Sequence, residues 1–432
     1  MRITGINSRD DPAGVGIRAR CEALVPELRP VHDWEFREVD GRLVHAGRVD
    51  RDLDADLLVF LSRHTSVRPV PQLTVHATGN VGEAVLGGEA DRAAPCSPGF
   101  MQSVLRRLAA LAPPGYRASY ERTHHGPTDL ETPSCFVEIG SGIEQWTDPS
   151  AADAVARAVL TAGPDPLAVP LLGFGGTQYA ARQTAIALST RGAFGHIVRS
   201  IDLDRLDVGT IERLARVSGA VAAYVDRKAV QSGGQDRLAG QLEQAGLPVL
   251  GEGSLGNLGT LPWSDYAALL ALAADVAPGA SLRIGRLTSC PDPVPVRLDG
   301  ALVAGALRGD SGGLLERFDT LPIASLVEGG RPLPILLVPS ACADQIIHDL
   351  ITLCVKTITG NQQTAIVGDR LIIRRDRFDP EKASALGVPQ GALFGRLQRG
   401  EPVVIDGLEI RPEMVRSPCA TEIFVEGLEK YL

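Results

Sequence analysis

The chain has 432 residues, more than one typical hydrophobic core accommodates, and this length predicts two or three domains. A hydrophobic content of 44% and a charged content of 22% are typical of globular proteins and exclude wholesale disorder. A net charge of −9 argues against a general nucleic-acid binder, because such proteins neutralise phosphates with Lys and Arg. Local basic patches, or ordinary solvated surface, are predicted at Arg18 with Arg20, Arg106 with Arg107, and Arg374 with Arg375 and Arg377.

The first 250 residues alternate short apolar runs with segments of helical periodicity. Several of the runs are almost continuously apolar, as in strands that are covered on both faces. The predicted strands are Asp56–Leu61, Gln72–His76, Ala118–Thr123, Ser134–Ile139, Ala168–Phe174, Ala193–Val198 and Val221–Val225.

Helices are predicted between these strands. Ser97 with Pro98 forms a helix start, followed by apolar residues at helical spacing up to Leu111. Asp148 opens another helix, and a third is predicted at Gln178–Leu188. The alternation predicts an α/β fold with a mixed, mostly parallel sheet sandwiched by helices, in which ligands gather where strands end in loops.

The pattern of apolar runs changes after Gly251, and we predict three regions. They are a catalytic domain at 1–255, a mixed α/β accessory region at 256–365, and a β-rich C-terminal extension at 366–432. Together the last two regions predict a smaller α+β domain. A strand is expected at Pro334–Val338, a helix from Ala341, and a hairpin at Val403–Ile410 on an Asp-Gly turn.

Seven scattered cysteines form no CxxC pair, which is typical of a reducing compartment. The N-terminus shows no signal-peptide pattern, and no apolar run approaches the ~20 residues that span a bilayer. We therefore expect a cytoplasmic protein with no membrane partner and no DNA partner. Its oligomeric state, monomer or homodimer, is left open.

Eight histidines occur in the chain, and five of them lie in loops or strand ends of its first half. Histidine is the usual general base near neutral pH and a common metal ligand. In the segment Thr123-His124-His125-Gly126-Pro127-Thr128, a turn at Gly126-Pro127 would bring both histidines to one rim. They would then bind a metal or polarise a carbonyl; the alternative is one buried and one exposed structural histidine.

Further polar residues follow or interrupt apolar strands. Glu138 lies inside an apolar run, where a carboxylate is costly unless paired, so it is a predicted base, metal ligand or histidine orienter, or else a solvated edge residue. His76 is either a site residue or a satisfied core histidine. The residues predicted to bind substrate or an anion are Arg63, His64, Asn80, Gly140, Ser141, Gly175, Gly176, Gln178 and His196.

Several catalytic schemes are excluded or left open by the motifs. The chain has no HExxH zinc motif. A zinc site needs three or four ligands. Spacing alone does not select among the available ligands, which are His64, His76, His124, His125, Glu138 and His196.

As a set, these motifs resemble the archaeal/plant type of D-aminoacyl-tRNA deacylase over residues ~1–250. The THHGPT block is highly specific for that family, and the other blocks are strong jointly. Those blocks, in chain order, are Ser62-Arg63-His64-Thr65-Ser66, Leu73-Thr74-Val75-His76 with Gly79-Asn80, Glu138-Ile139-Gly140-Ser141 with Trp146, and Ala193-Phe194-Gly195-His196-Ile197.

The resemblance implies hydrolysis of the ester that joins a D-amino acid to the 3′ end of tRNA, with D-aminoacyl-tRNA as the substrate. It also implies zinc as a cofactor and a fold similar to peptidyl-tRNA hydrolase and nucleoside phosphorylases. On this basis we expect catalysis by Thr123, His124, His125, Glu138 and His76. The expected metal ligands are His124, His125, His64 and Glu138.

One departure from the family pattern keeps other functions open. The family stretch Gly-Gly-x-His-Tyr-Ala-Pro-Arg is matched by residues 175–182, with Gln178 in place of the histidine and Ala181 in place of the proline. Glutamine can hydrogen-bond but cannot act as a general base. The alternatives are a repurposed hydrolase or acyltransferase acting on a small aminoacyl ester or amide, and a non-catalytic tRNA-binding protein. Separately, residues 386–401 resemble the tail of tRNase Z-type proteins and contain no metal motif.

Overall fold

A computed structural model describes residues 1–67, 70–310 and 312–432 of the chain. These residues form two compact units, Met1–Leu258 and Gly259–Leu432. In the part of the chain that the structure describes, no helix is both long enough and apolar enough to cross a membrane.

The first unit alternates strands and helices from its first residues. Its strands are β1 (Arg2–Ser8), β2 (Asp33–Val39), β3 (Leu57–Thr65), β4 (Gln72–His76), β5 (Arg117–Tyr120), β6 (Ser134–Ser141), β7 (Val169–Phe174), β8 (Gly192–Val198) and β9 (Ala222–Val225). Its helices are α1 (Pro12–Leu28), α2 (Pro98–Leu111), α3 (Ile143–Trp146), α4 (Pro149–Thr161), α5 (Ala181–Ser189), α6 (Val208–Ser218), α7 (Ser232–Gln244) and α8 (Glu252–Asn257).

Two sheets organise this unit. The larger has the strand order β2-β1-β3-β6-β4-β5, and the smaller has the order β8-β7-β9. All neighbouring strands pair in parallel except β4 and β6, which are antiparallel. Helices α1, α2 and α4 pack on these sheets and on each other. The mixed, mostly parallel α/β fold predicted from the sequence is therefore confirmed.

Buried apolar runs explain why the central strands form. Residues Leu57–Leu61 of β3 are essentially inaccessible to solvent, and every residue of β6 is buried. A strand covered on both faces has no solvated side, so it reads as a continuous apolar run. The polar residues at the ends of β3 and β6 are therefore placed in a dry environment by the same packing.

The structure corrects several predicted boundaries. Strand β3 extends to Thr65, because it pairs with β6 as far as Ser141, so the Ser62–Thr65 motif lies within a strand and not after it. Strand β5 ends at Tyr120 and not at Thr123, which leaves the histidine pair in a loop. The predicted helix at Gln178–Leu188 begins instead at Ala181. The elements before residue 56 were not predicted individually.

The second unit is built from antiparallel sheets and helices. Its helices are α9 (Trp263–Val276), α10 (Gly300–Gly309), α11 (Gly313–Phe318), α12 (Ala343–Asn361), α13 (Pro380–Ala385) and α14 (Ala392–Gln398). Its strands are β10 (Ser281–Ile284), β11 (Pro293–Arg297), β12 (Ala324–Glu328), β13 (Arg331–Pro339), β14 (Gln363–Val367), β15 (Arg370–Phe378), β16 (Val403–Ile405), β17 (Leu408–Ile410) and β18 (Arg416–Phe424).

The strands of this unit form the sheets β10-β12-β13-β11, β14-β15-β18 and β16-β17. The hairpin predicted on the Asp-Gly turn is confirmed, with Asp406 and Gly407 both in the left-handed region. Leu371 and Ile373 of β15 pack in the same core as Val303 and Ile358. Residues on both sides of the predicted boundary at 365 thus share one core.

Candidate active site

The register of the large sheet brings distant polar residues to one face. Glu138 of β6 pairs with Ser62 of β3 on one side and with Thr74 of β4 on the other. Side chains two residues apart on a strand point to the same face, so His64 and His76 share that face with Glu138. Two histidines and a carboxylate from three strands are thereby placed together before any loop is considered.

A second carboxylate joins this face from the end of β5. Val75 pairs with Tyr120, so the next residue, Glu121, lies opposite His76. Glu121 is almost completely buried, with 1% of its surface exposed. The face therefore carries two buried carboxylates and two buried histidines.

The loop after β5 adds two further histidines. His125 has a φ of 50°, in the left-handed region, and the chain turns sharply there. The rings of His124 and His125 lie 4.4 Å apart between centroids, and they lie 4.5 and 4.9 Å from the ring of His76. We call His76, His124 and His125 the three-histidine group.

Backbone contacts orient all three rings of this group. The Nδ1 atom of His76 lies 3.3 Å from the carbonyl oxygen of Ala77, that of His124 lies 2.8 Å from the carbonyl of Arg122, and that of His125 lies 2.7 Å from the carbonyl of Gly126. A carbonyl oxygen only accepts, so each Nδ1 carries the proton and each Nε2 is left with its lone pair when the ring is neutral.

This arrangement fits a metal ion. One ligand atom from each member of the three-histidine group lies within 4.8 Å of the others. The Nε2 atom of His76 is buried without a hydrogen-bond partner. Histidine ligands of zinc typically donate their other ring N–H to a carbonyl or carboxylate, as all three do here.

The remaining charged residues form a second cluster, which we call the His64 group: His64, Glu121 and Glu138. The Nδ1 atom of His64 lies 3.0 Å from Oε1 of Glu121 and 3.5 Å from Oε2 of Glu138. Its Nε2 atom lies 3.1 Å from the hydroxyl of Tyr179. Ligand atoms of this group also lie within 4.8 Å of one another, but its members are already engaged with each other.

Gly140 leaves room for this cluster. A Cβ atom at Gly140 would lie 2.7 Å from atoms of the His64 side chain. Any other residue there would displace the His64 ring. Gly140 is predicted from the sequence to bind an anion, whereas its observed contact is with this histidine.

The two groups differ in charge. Burial opposes the charged form of His64, but the carboxylates of Glu121 and Glu138 raise its pKa to about 11. Burial favours neutral carboxyls, yet His64 and His76 lower the pKa of Glu138, and the same histidines lower that of Glu121. The His64 group is therefore an ion cluster at neutral pH.

The loop histidines are neutral instead. Burial, followed by the neighbouring His76, lowers the pKa of His125 to about 4 and depresses that of His124 well below its ordinary value. For His76, burial opposes the charge, while the carboxylates of Glu138 and Glu121 raise the pKa. A positive charge at the Nε2 atom of His76 is therefore favoured by its surroundings, whether a proton or a metal ion carries it.

Gln178 connects the two groups. Its side-chain nitrogen donates to Oε2 of Glu121 at 2.5 Å and lies 3.3 Å from the Nε2 atom of His124. Its side-chain oxygen accepts from the Nε atom of Arg122 at 2.9 Å. The residue that departs from the family pattern therefore lies at the centre of the site.

A cleft of about 460 Å³ opens onto both groups. This volume is in the range of small-molecule binding sites. Arg63 also lines the cleft, with its guanidinium 5.2 Å above the ring of Trp146. The site residues on the cleft wall are His64, His124, His125, Glu138, Gln178 and Tyr179.

Several predicted site residues have other partners. Ser141 bonds with the backbone of Val70. The amide of Gly175 donates to the carbonyl of Val198, and the amide of Gly176 donates to the hydroxyl of Ser200. The predicted glycine-rich anion cradle is therefore occupied by the protein's own acceptors.

His196 is fully buried and lies outside both groups. Its Nδ1 atom contacts the hydroxyl of Thr123 at 3.1 Å, and its Nε2 atom contacts the carbonyl of Ala94 at 3.1 Å. The Thr123 hydroxyl also accepts from the amide of Ile197 at 2.9 Å. Both predicted site residues thus anchor the histidine loop to β8. Asn80 donates to the carbonyls of residues 87 and 89 and holds a neighbouring loop.

Glu121 and Tyr179 are site residues that were not predicted from the sequence. Glu121 follows an apolar strand by one residue, and the two-residue alternation from Ser119 places it on the same face. This two-residue periodicity is the signal in the sequence that could have identified Glu121 as a site residue. Nothing in the sequence locates Tyr179 beside His64, because the contact joins residues 115 positions apart.

Comparisons with known proteins agree with this architecture. The sequence profile of the family described as D-aminoacyl-tRNA deacylase matches residues 51–250. Proteins named D-aminoacyl-tRNA deacylase from Methanosphaerula palustris and Methanoregula boonei are 53% and 48% identical to the chain, over the full length of both partners. A crystal structure of a conserved protein of unknown function is 30% identical, with a TM-score of 0.54, and the match covers 59% of this chain and 96% of that one.

Proposed function

The chain belongs to the D-aminoacyl-tRNA deacylase family, and from that premise we propose that it hydrolyses the ester bond of D-aminoacyl-tRNA, with the cleft above the two histidine groups as its active site. The observation that carries this assignment is the convergence of three oriented imidazoles, two of which, those of His124 and His125, lie with Glu138 on the wall of a cleft. The products are a free D-amino acid and tRNA.

We propose zinc as the metal and the three-histidine group as its ligands. Two observations support this choice: the Nε2 atom of His76 has no hydrogen-bond partner and lies 3.8 Å from Oε2 of Glu138, and the Nδ1 atoms of all three rings face carbonyl oxygens. When bound there, Zn²⁺ supplies Lewis acidity, which polarises the ester carbonyl and lowers the pKa of a coordinated water. His64 and Glu138, predicted as ligands from the sequence, are assigned to proton transfer instead.

Glu138 is the group we assign to accept the proton of the attacking water. It lines the cleft together with His124 and His125, and its pKa is lowered by His64 and His76, so it is an ionised acceptor at neutral pH. The oxygen of the water forms a bond with the ester carbon while its proton moves to a Glu138 oxygen.

His64 and Tyr179 are assigned to the leaving group. Bond cleavage leaves an electron pair on the ribose oxygen, which must receive a proton. The hydroxyl of Tyr179 donates that proton and is reprotonated by the Nε2 atom of His64, 3.1 Å away. The Nε2 atom of His64 then regains a proton from solvent in the cleft, and Glu138 releases to solvent the proton taken from water, which completes the cycle.

The direct test is deacylation of D- and L-aminoacyl-tRNA with and without a chelator. We expect the metal-loaded protein to hydrolyse the D-enantiomer preferentially, and the chelator to abolish turnover. His348 is an exposed histidine of α12 in the second unit, so His348→Gln is a control expected to retain full activity. Absence of turnover of either enantiomer by the metal-loaded protein would refute the proposed function.

Gln178 motivates one comparison within the same assay. Because it replaces the histidine of the family pattern and contacts both groups, action on a small aminoacyl ester is the second candidate function. Turnover of a D-aminoacyl methyl ester without turnover of D-aminoacyl-tRNA would favour that alternative.

We also propose a cytoplasmic location. All seven cysteines are free thiols, as expected in a reducing compartment. A free-thiol titration of protein purified from the cell in the presence of a trapping reagent would test this, with any disulfide contradicting it.

A further inference from the structure

A second cavity lies next to the active-site cleft. It has a volume of about 290 Å³ and shares Leu86, Arg122 and His125 with the cleft, so the two are separated by the side chains of the histidine loop. Its wall carries three arginines: Arg122, Arg199 and Arg205. His125 is the residue of this wall that is also assigned to metal binding, and the proposed hydrolysis gives none of the three arginines a role.

Two of these arginines have no acidic partner. Among residues 1–67, 70–310 and 312–432, no ion pair involves Arg122 or Arg205. Arg122 uses its Nε atom for the side chain of Gln178 and one terminal nitrogen for the carbonyl of Thr123, which are both neutral acceptors. Its guanidinium is half-buried, so its positive charge is poorly compensated by solvent.

The third arginine increases this excess of charge. Arg199 is paired with Asp202, its only close carboxylate in the described chain. Arg122 and Arg199 both line the cavity, and their guanidiniums carry like charges that repel each other. The other acidic residue on the wall, Glu83, is exposed. An anion between the arginines would relieve the repulsion.

The loop opposite the arginines is held in place. Gly82 has a φ of 92°, and a Cβ atom there would collide with the guanidinium of Arg205, so this arginine lies directly over the loop backbone. Asn80 at the cavity wall fixes the same loop through the carbonyls of Gly87 and Glu89. The cavity is therefore built by packed elements on both sides.

We propose that this cavity is a subsite for a phosphate group of the substrate's terminal nucleotide, bound by Arg122, Arg199 and Arg205. The assignment of the ligand rests on the proposed function, because an ester held in the cleft places its own nucleotide phosphates next to the shared wall. Arginine suits this role, since its planar fork matches phosphate oxygens. The subsite also gives an acidic protein a local means to bind tRNA.

Equilibrium binding of adenosine 5′-monophosphate and of adenosine to the full chain tests the subsite without requiring catalysis. Calorimetry of the unmodified protein should show AMP binding about tenfold tighter than adenosine. Arg205→Gln should reduce this preference to about twofold or less. Arg205 is the chosen position because its side chain is exposed and, unlike Arg122, does not touch Gln178.

Arg216→Gln is the matched control, since Arg216 is an exposed arginine of α6 outside the cavity and its loss changes the net charge equally. It should retain the full preference for AMP. Equal binding of AMP and adenosine by the unmodified protein, or an unchanged preference in Arg205→Gln, would overturn the subsite. A protein that prefers AMP but deacylates no aminoacyl-tRNA would keep the subsite and refute the proposed function, so the two failures are distinguishable.

Discussion

The three-histidine group and the His64 group lie side by side, yet His124 and His125 of the first differ in charge from His64 of the second. His64 faces two carboxylates and its pKa rises to about 11, whereas His125 faces other histidines and its pKa falls to about 4. Burial acts in the same direction on both, so the difference comes from the neighbouring charges. The loop histidines therefore provide lone pairs for a cation, and the His64 group provides mobile protons.

The difference also follows the secondary structure. His64 and Glu138 are fixed by neighbouring strands, whose register sets their separation. His124 and His125 belong to a loop, and their orientation depends on the carbonyls of residues 122 and 126 and on the anchor at Thr123. We expect substitutions of the loop histidines, and of His76 at the end of β4, to affect metal binding, and substitutions of His64 and Glu138 to affect proton transfer.

The largest effect is predicted for the three-histidine group. His124→Ala removes one proposed ligand, and we expect the protein to lose its zinc and its activity to fall by roughly 1,000-fold or more. Metal content by elemental analysis and deacylation rates measure both. Full zinc content with full activity in this variant would refute the ligand assignment, and His348→Gln serves as the histidine control.

The second-largest effect is predicted for Glu138, and it distinguishes the His64 group from the three-histidine group. Glu138→Gln keeps the size of the side chain but removes the proton acceptor, so kcat should fall by about 100-fold or more while zinc is retained. Metal content by elemental analysis and deacylation rates again measure the two quantities. Loss of zinc together with activity would instead make Glu138 a ligand, as the sequence analysis expected, and the contrast between the groups would fail.

Many of the residues that form the two groups were predicted from the sequence. The strands that carry His76 and Glu138 were predicted from apolar runs, whereas the strand predicted at Asp56–Leu61 stopped short of His64. The turn at Gly126-Pro127 suggested that the histidine pair faces one rim, and both histidines line the same cleft. The assignment of residues to groups was not predictable, because it depends on sheet order. Strand β6 lies between β3 and β4 although it follows both in the chain.

Hydrogen-bond partners were equally hidden in the sequence. Thr123 and His196 are separated by 73 positions, and their contact depends on the placement of β8 beside the histidine loop. Gly175 and Gly176 matched an anion-binding pattern, but the amides of that turn are used by Val198 and Ser200. The local sequence shows which polar groups can bind a ligand. The tertiary fold decides whether those groups remain available for a ligand or bond with other parts of the protein.

An intermediate effect is predicted at the residue that joins the two groups. Gln178→Ala removes the donor to Glu121 and the contact with His124, so both a proton-transfer partner and a proposed ligand lose orientation. Activity or zinc affinity should fall by roughly 10- to 100-fold. Gln178→His restores an N–H donor and should recover part of the loss. Wild-type kinetics and zinc affinity in Gln178→Ala would show that the groups work independently.

The smallest effect on catalysis is predicted where the histidine loop is anchored. Thr123 was expected to be catalytic, but its hydroxyl is used by His196 and by the amide of Ile197. Thr123→Val keeps the shape and leaves those two buried groups unsatisfied, so the free energy of unfolding should fall by about 1–3 kcal/mol. Since the hydroxyl touches neither group of the active site, kcat should fall by less than about tenfold.

Urea denaturation and deacylation kinetics on one preparation separate these effects. A loss of kcat as large as that of Glu138→Gln, without loss of stability, would return Thr123 to the catalytic residues.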